Sequence, residues 1–204
     1  MRDVAGGGRR FAALTQLEMT EQRRAVLEQL ASGSRRVDLS VGLDQVRLGP
    51  FEALLTSPEL CRRVQALGEY VRFSSTLPGP IRELAILIVA RRWSSLLEWN
   101  AHDAIAAREG LSEEIRDAVR QQKVVGAEGS AEHDVWRFAW ALLDNGHVDD
   151  ATFDSIADRY GEHGALDLTA TVGYYCLIAF VLNVDQFPLP PGVEPPFTPG
   201  GNGN

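Results

Sequence analysis

Residues 78–110 read PGPIRELAILIVARRWSSLLEWNAHDAIAAREG, and this stretch decides the fold. Pro80 suits the first turn of a helix, and the LAILIVA segment that follows is apolar on every helical face. A second helix is predicted from Ser95, which suits a helix start, to Gly110, which suits a helix end. The stretch therefore predicts two consecutive helices, the first of them at the centre of the core.

Apolar residues recur with the 3.6-residue period of a helix through the rest of the chain, whereas strand-like alternation is nearly absent. The fold class predicted from this pattern is all-α. Residues 34–50 are polar and contain glycine, so we expect them to connect two helices. The other helices are predicted from Thr20 to Gly33, from Ser57-Pro58 onward, from Ser112 onward, and over residues 132–146, 149–161 and 165–184.

The chain shows no internal repeat and no sharp change in composition, which favours a single helical domain. We predict an N-terminal extension at residues 1–19, the helical domain at residues 20–187, and a Pro/Gly-rich tail at residues 188–204. The tail carries little that packs by itself, so it is expected to be extended and ordered only against a neighbour.

Charge and composition restrict the function. The 204 residues contain 20 Lys and Arg against 28 Asp and Glu, a net charge of -8, so nucleic acid is not an expected partner. Cys61 and Cys176 are the two cysteines, and they provide neither a disulfide framework nor a CxxC redox pair.

Two features of the sequence bear on export and on membrane association. The N-terminus lacks the apolar core of a signal peptide, which makes the cytoplasm the expected location. The longest uncharged run, residues 168–184, is shorter than the roughly 20 apolar residues that span a bilayer. It is interpreted as a core helix, and no membrane association is expected.

Within residues 78–110, Glu98 and His102 are the side chains most suited to acid–base catalysis. They lie four positions apart, so they share one face of the predicted helix and are within contact distance of each other. Their neighbours are apolar, and a carboxylate and an imidazole in such surroundings are suited to proton transfer. A structural alternative stays open, because Ser95 and Glu98 also fit the S-x-x-E capping box. Glu83 likewise fits the first turn of its helix, where it would complement the helix dipole.

Metal binding is a rival use of Glu83, Glu98 and His102. The helical zinc motif needs two histidines at i,i+4, and di-iron bundles need Glu-x-x-His pairs from two helices. Neither pattern occurs in this sequence, so we predict no metal site. His133, His147 and His163 lie among polar neighbours near helix ends, and solvated or capping roles are expected for them.

Several motifs in order resemble the carboxymuconolactone decarboxylase family, within the alkylhydroperoxidase D-like superfamily. The resemblance is carried by RELAILIVARRW (82–93), EWNAH (98–102) and AAREGLSEEIRDAV (106–119), and it extends over residues 20–190. It implies an alkylhydroperoxidase D-like helical bundle that assembles into a homo-oligomer, a trimer or a hexamer.

The redox branch of that superfamily carries a Glu, then a CxxC pair, then a His. These positions fall on Glu83, on Ser95 and Glu98, and on His102, so both sulfurs are missing. Because a thiolate is the group that attacks a peroxide, an alkylhydroperoxidase-type antioxidant activity is disfavoured. A non-catalytic or ligand-binding oligomer with the same fold remains an alternative.

Similarity to the decarboxylase branch implies a lyase that uses no cofactor and acts on a small carboxylated lactone-like or cyclic unsaturated compound, in aromatic catabolism or secondary metabolism. His102 is the expected proton donor, oriented by Glu98, and Glu83 would set the imidazole tautomer or hold a water. The candidate substrate-binding residues are Arg91, Arg92, Trp99 and Ser95.

Two positions of the last long helix also stand out. Asp167 either complements the helix dipole or contributes to a pocket rim or subunit interface. Gly173 is expected to allow the close approach of another helix.

Overall fold

A computed structural model describes residues 8–34, 37–40 and 47–198. The start of the predicted N-terminal extension, the end of the predicted tail, and residues 35–36 and 41–46 of the predicted connection lie outside these residues. The described residues form one short 3-10 helix and eight α-helices, with no strand among them, so the all-α prediction is confirmed. The α-helices are α1 (Glu21–Ser32), α2 (Pro50–Leu54), α3 (Pro58–Phe73), α4 (Gly79–Arg92), α5 (Leu96–Arg108), α6 (Glu113–Arg120), α7 (Ala131–Asn145) and α8 (Asp150–Asp185).

Side-chain caps define the starts of three helices. The Thr20 side chain accepts a hydrogen bond from the Arg23 N–H at the start of α1, as the sequence predicts. The Ser112 hydroxyl accepts a hydrogen bond from the Ile115 N–H at the start of α6. The Ser130 hydroxyl accepts one from the His133 N–H at the start of α7. Each cap satisfies a backbone donor that has no acceptor inside its own helix, which fixes the residue at which the helix begins.

The chain divides into two compact units. The first comprises residues 1–74 and 180–188, and α3 packs in it against α1 and α2. Helix α2 corrects the sequence prediction, because residues 34–50 were expected to lead directly to α3. Gly49 has φ of 59° and Pro50 occupies the first helical position, which starts a short helix that buries Phe51 and Leu54.

The second unit comprises residues 75–179 and 189–204, and α4 lies at its centre, in contact with α5, α6 and α7. Every residue from Leu84 to Ala90 is at most 1% exposed. The prediction that the helix is central because it is apolar on all faces is therefore confirmed. The predicted boundaries at residues 19/20 and 187/188 remain predictions.

Helix α8 is interrupted at Gly161, whose backbone angles are φ 73° and ψ 170°. This conformation is essentially restricted to glycine, so the predicted helices over 149–161 and 165–184 form one interrupted element. Among the described helices, α8 alone is long and apolar enough to cross a membrane, and 56% of its apolar window is buried within the fold. Core helices of soluble proteins share these properties.

Part of the Pro/Gly-rich tail packs against its own unit. The Phe197 ring lies edge-on to the ring of Trp99, with centroids 5.4 Å apart, and the guanidinium of Arg91 lies 4.5 Å from the Phe197 centroid. The tail is thus held at this point by aromatic and cation–π contacts.

Candidate active site

A buried carboxylate and a buried imidazole meet between α4 and α5. Glu83 lies in the second turn of α4 and is 1% exposed, and His102 lies in the middle of α5 and is 5% exposed. Oε2 of Glu83 is 2.7 Å from Nδ1 of His102, the distance of a charge-assisted hydrogen bond. The packing of α5 on α4 therefore places a carboxylate against one ring nitrogen.

A second carboxylate faces the other nitrogen of the same ring. Oε2 of Glu98, which is 7% exposed, lies 3.4 Å from Nε2 of His102. This contact follows from their i,i+4 spacing on α5. The structure thus brings together all three residues predicted to be catalytic, with the imidazole between the two carboxylates.

The position of the imidazole between two carboxylates limits the hydrogen bonds that it donates. A neutral imidazole carries one N–H, so it donates to only one of the two carboxylates and presents a lone pair to the other. With Nδ1 donating to Glu83, a favourable contact at Nε2 requires one more proton, carried by the imidazole or by Glu98. With a neutral imidazole, the contact between Nε2 and Glu98 is therefore the one that lacks a proton.

Two further side chains complete the surroundings of the cluster. The Tyr175 ring of α8 lies edge-on to the imidazole, with centroids 5.0 Å apart, and the Nε atom of Arg82 is 3.6 Å from Oε1 of Glu83. The guanidinium reduces the cost of burying negative charge, and the ring restricts the imidazole orientation. Sequence analysis missed Tyr175, because a tyrosine in an apolar helix carries no signal that separates it from other core residues.

Ser95 does not act as the cap that its position suggests. It precedes the first residue of α5, yet its side chain makes no capping hydrogen bond, and its own N–H donates to the Ala90 carbonyl at 2.8 Å. The Ser95–Glu98 capping box considered from the sequence is therefore absent. Ser95 is 1% exposed, and its hydroxyl has no hydrogen-bond partner among the described residues.

The two arginines at the end of α4 are engaged in structural contacts. Arg91 is buried, with Nε donating to the Arg120 carbonyl at 2.8 Å and Nη2 donating to Oε1 of Gln122 at 2.9 Å. Burial lowers the pKa of the Arg91 guanidinium. Arg92 pairs with Asp144 at 3.1 Å in a partly exposed ion pair. The sequence-based assignment of both to substrate binding remains a prediction.

Trp99 and Trp93 are both packed against other side chains. Trp99 is 1% exposed and lies between the Phe197 ring and the Arg120 guanidinium, the latter 5.6 Å from its centroid. Trp93 donates its indole N–H to Sγ of Cys176 at 3.2 Å. Trp99 is therefore a buried residue of α5, one helical turn after the buried Ser95. Its role in substrate binding stays a prediction.

Asp167 makes contacts that the sequence did not predict. It is buried within α8, and its Oδ2 accepts hydrogen bonds from the Thr76 N–H at 2.7 Å, the Thr76 hydroxyl at 2.8 Å and the Ser75 hydroxyl at 3.2 Å. These bonds hold the turn that precedes α4. Asp167 thus links α8 to the turn before the helix that carries Glu83.

The two thiols are poorly suited to redox chemistry. Burial raises the pKa of Cys61 to about 12, and it also raises the pKa of Cys176, partly offset by the hydrogen bond from Trp93. A thiol with a raised pKa carries little of the reactive thiolate at neutral pH.

The geometry of the cluster also bears on metal binding. The two carboxylates contact opposite nitrogens of one ring, and these nitrogens point away from each other, so the three groups do not converge on one point. Across residues 8–34, 37–40 and 47–198, no three His, Cys, Asp or Glu side chains are arranged to hold a metal ion.

Comparison with known proteins assigns no family to the chain. No family model matches it, and no curated protein sequence is significantly similar to it. The class that fold and site define is an all-α protein with a buried Glu–His–Glu cluster.

Proposed function

We propose that the chain is an acid–base enzyme that decarboxylates a small carboxylated lactone-like or cyclic unsaturated compound, or catalyses a related lyase or isomerase reaction. The observation that carries the proposal is the buried imidazole of His102 between Glu83 and Glu98. A desolvated imidazole fixed by one carboxylate and facing another is suited to proton transfer. The motif resemblance at residues 82–119 supports the substrate class.

In this reaction the C–C bond to the substrate carboxylate breaks, CO2 leaves, and the electron pair passes into the conjugated lactone. A proton is then delivered to carbon. His102 donates that proton from Nε2, Glu83 stabilises the imidazolium through Nδ1, and Glu98 returns a proton to the imidazole afterwards. Glu98 then regains a proton from solvent, because each turnover consumes one proton when the C–C bond to CO2 is replaced by a C–H bond.

The experiment measures CO2 release from 4-carboxymuconolactone and related carboxylated lactones by the wild-type chain and by His102→Gln and Glu98→Gln variants. Each variant is expected to lose at least about a hundredfold in turnover, the usual contribution of a general acid, with helix content retained. His147→Gln is the matched control, because His147 is exposed and its described hydrogen bond goes to the Asn145 carbonyl, outside the Glu83–His102–Glu98 cluster. Unchanged turnover in His102→Gln overturns the proposal and favours a ligand-binding oligomer.

We also propose that the chain self-associates as a trimer or hexamer. One face of α8 supports this: Leu166 is 66% exposed, Leu177 is 38% exposed, and Thr169 and Gly173 lie exposed between them. A Cβ added at Gly173 meets no described atom within 4 Å, so the helix approach predicted there is not made within the described chain. An exposed apolar face of this kind is typical of an interaction surface.

Analytical ultracentrifugation tests the assembly. Leu166→Glu is expected to shift the sedimenting species toward the monomer, because it places a charge on the exposed α8 face. Val124→Glu, at a residue that is 62% exposed on the loop after α6, is expected to leave the assembly unchanged. A monomeric wild-type chain at micromolar concentration contradicts this proposal.

A further inference from the structure

A cavity of about 320 Å³ lies in the first unit, and every described residue that lines it belongs to that unit. Its walls come from four parts of the chain: the N-terminal segment at Phe11, the end of α2 with the turn that follows it, the first turn of α3 at Leu60, and the end of α8. No residue of the Glu–His–Glu cluster lines it. The cavity thus shares no residue with the proposed reaction.

Large apolar side chains in the walls of this cavity are exposed to solvent. Leu60, Phe180 and Val184 are each between 44% and 50% exposed, although all three lie around one concave site. Exposing a group of apolar side chains to water costs free energy, and an apolar cavity of this size is typical of a binding site for a small molecule. The cavity is therefore suited to burying these side chains against an apolar ligand.

The N-terminal wall is held in place by buried ion pairs. The Arg9 guanidinium donates to Oδ2 of Asp185 at 2.7 Å and forms a second ion pair with Glu52. The Phe11 N–H donates to Oδ1 of Asp185 at 2.8 Å. Both carboxylates are buried, and separating either from Arg9 would leave an uncompensated buried charge. The ion pairs therefore keep Phe11 at the side of the cavity, so the cavity is already formed without a ligand.

The lining indicates the kind of ligand. Among the described residues that line the cavity, no side chain is charged, and Thr56 and Ser57 supply the polar groups. Ser57 precedes α3, yet its hydroxyl makes no capping hydrogen bond. A charged ligand group would lose hydration without a countercharge in this lining, whereas a neutral oxygen pairs with a hydroxyl. At roughly 30 Å³ for a group the size of a water molecule, the cavity holds about ten non-hydrogen atoms.

We propose that this cavity binds a neutral aliphatic compound of about eight to ten non-hydrogen atoms. Its hydrocarbon chain lies against Leu60, Phe180 and Val184, and its hydroxyl or carbonyl oxygen lies at Thr56 and Ser57. This binding is independent of the proposed reaction at the Glu–His–Glu cluster.

NMR titration of the 15N-labelled full chain with 1-butanol, 1-hexanol, 1-octanol and 1-decanol tests the cavity. The affinity is expected to rise about fourfold for each methylene up to 1-octanol, the gain from burying one methylene group, and to level off at 1-decanol because the cavity is then full. The amide signals of Thr56, Ser57 and Leu60 should shift with the same affinity. Octanoate, which has a charged end, should bind about tenfold more weakly than 1-octanol.

Two leucines of α3 provide a test variant and its matched control. Leu60→Asp places a charge in the wall of the cavity at a residue that is 48% exposed, and it is expected to weaken 1-octanol binding by about tenfold or more. Leu67 lies two helical turns further along α3 and is 46% exposed, but it does not line the cavity. Leu67→Asp should therefore bind 1-octanol like the wild type. Circular dichroism checks that both variants keep the helix content of the wild type.

Three results would overturn the site: an affinity that does not depend on chain length, tighter binding of octanoate than of 1-octanol, or equal binding of 1-octanol by the two variants. Sedimentation velocity measures a different use of the same surface. If the wild type does not bind 1-octanol and Leu60→Asp alone lowers the mass of the sedimenting species, the surface is a contact between copies of the chain and the proposal is wrong. Turnover in His102→Gln tests the proposed reaction separately, because His102 does not line the cavity.

Discussion

Glu83 and His102, nineteen positions apart on different helices, form the shortest described contact of the candidate site, with 2.7 Å between Oε2 and Nδ1. The i,i+4 neighbour of His102, Glu98, lies farther away, at 3.4 Å from Nε2. The residue that orients the imidazole therefore comes from α4. The sequence predicted that Glu98 orients the imidazole and that Glu83 sets its tautomer or holds a water, whereas the distances place Glu83 nearer to the ring than Glu98.

Glu83→Gln should lower turnover by about ten- to a hundredfold while the chain stays folded. The amide retains a hydrogen bond to Nδ1 but no longer stabilises an imidazolium. Steady-state kinetics measures the loss, and the 15N shifts of His102 report whether Nδ1 keeps its proton. Wild-type turnover together with wild-type 15N shifts would show that Glu83 only packs.

Ser95→Ala and Ser112→Ala should shift stability in opposite directions. The Ser95 hydroxyl is buried without a described partner, so its removal should leave the free energy of unfolding unchanged or raise it by about 1 kcal/mol. Ser112→Ala removes a working cap and should lower that free energy by about 1 kcal/mol. Urea unfolding of both variants measures the difference. A clear destabilisation by Ser95→Ala would reveal a partner for its hydroxyl.

Gly161→Ala should lower the free energy of unfolding by about 1–3 kcal/mol, because Gly161 adopts φ 73° and ψ 170°, a conformation strained for alanine. No described atom lies within 4 Å of the added Cβ, so the cost is conformational and involves no clash. Gly173→Ala is the control. Gly173 lies in regular helix with open space around it, and its substitution should raise stability by about 0.5–1 kcal/mol in dilute solution. Equal effects of the two substitutions would contradict the interruption of α8.

Asp167→Asn should destabilise the chain by about 1.5–3 kcal/mol. The carboxylate accepts three hydrogen bonds from Ser75 and Thr76, and an amide accepts them less strongly and brings donors of its own. Chemical unfolding measures the loss, and faster hydrogen exchange at the Thr76 amide would place it at the turn before α4. Wild-type exchange at that amide would argue against this anchoring role.

Cys61 should make stability fall at high pH. Below pH 9.0 the thiol is protonated in both states, but between pH 9.0 and about 12 the unfolded chain loses the proton that the folded chain retains. The contribution of the Cys61 thiol to the free energy of unfolding is therefore present in full below pH 9.0. It is lost as the pH rises above 9.0, by up to about 1.4 kcal/mol per pH unit. Urea unfolding at pH 8 and 10 should show a smaller decline for Cys61→Ala than for the wild type. Identical declines would contradict the burial of a neutral thiol.

The helical class and the position of α4 were predictable because they depend on periodicity alone. A seven-residue apolar run has no face suited to water, so it lies in the centre of a helical core wherever its neighbours pack. The caps at Thr20 and Ser112 were predictable for a similar reason, since each cap is local to a few residues. The i,i+4 contact of Glu98 and His102 likewise needs only one helix.

Long-range pairing was not predictable in the same way. The contact of Glu83 with His102 depends on how α5 packs on α4, and the engagement of Arg91 with Arg120 and Gln122 depends on where α6 ends. The predicted capping role of Ser95 is wrong although its local pattern was favourable: the side chain is buried and makes no hydrogen bond to the first turn of α5. Helix α2 was missed because five residues show too little periodicity.

The interruption at Gly161 also determines how the buried faces of the two halves of α8 are rotated relative to each other. Ile156 and Leu168 are both fully buried, yet in an uninterrupted helix they would point about 120° apart. One residue outside helical geometry lets each half turn its own apolar stripe inward. Inserting or deleting a single residue beside Gly161 would rotate one stripe by about 100° relative to the other. We therefore expect this segment to accept changes of residue type more readily than changes of length.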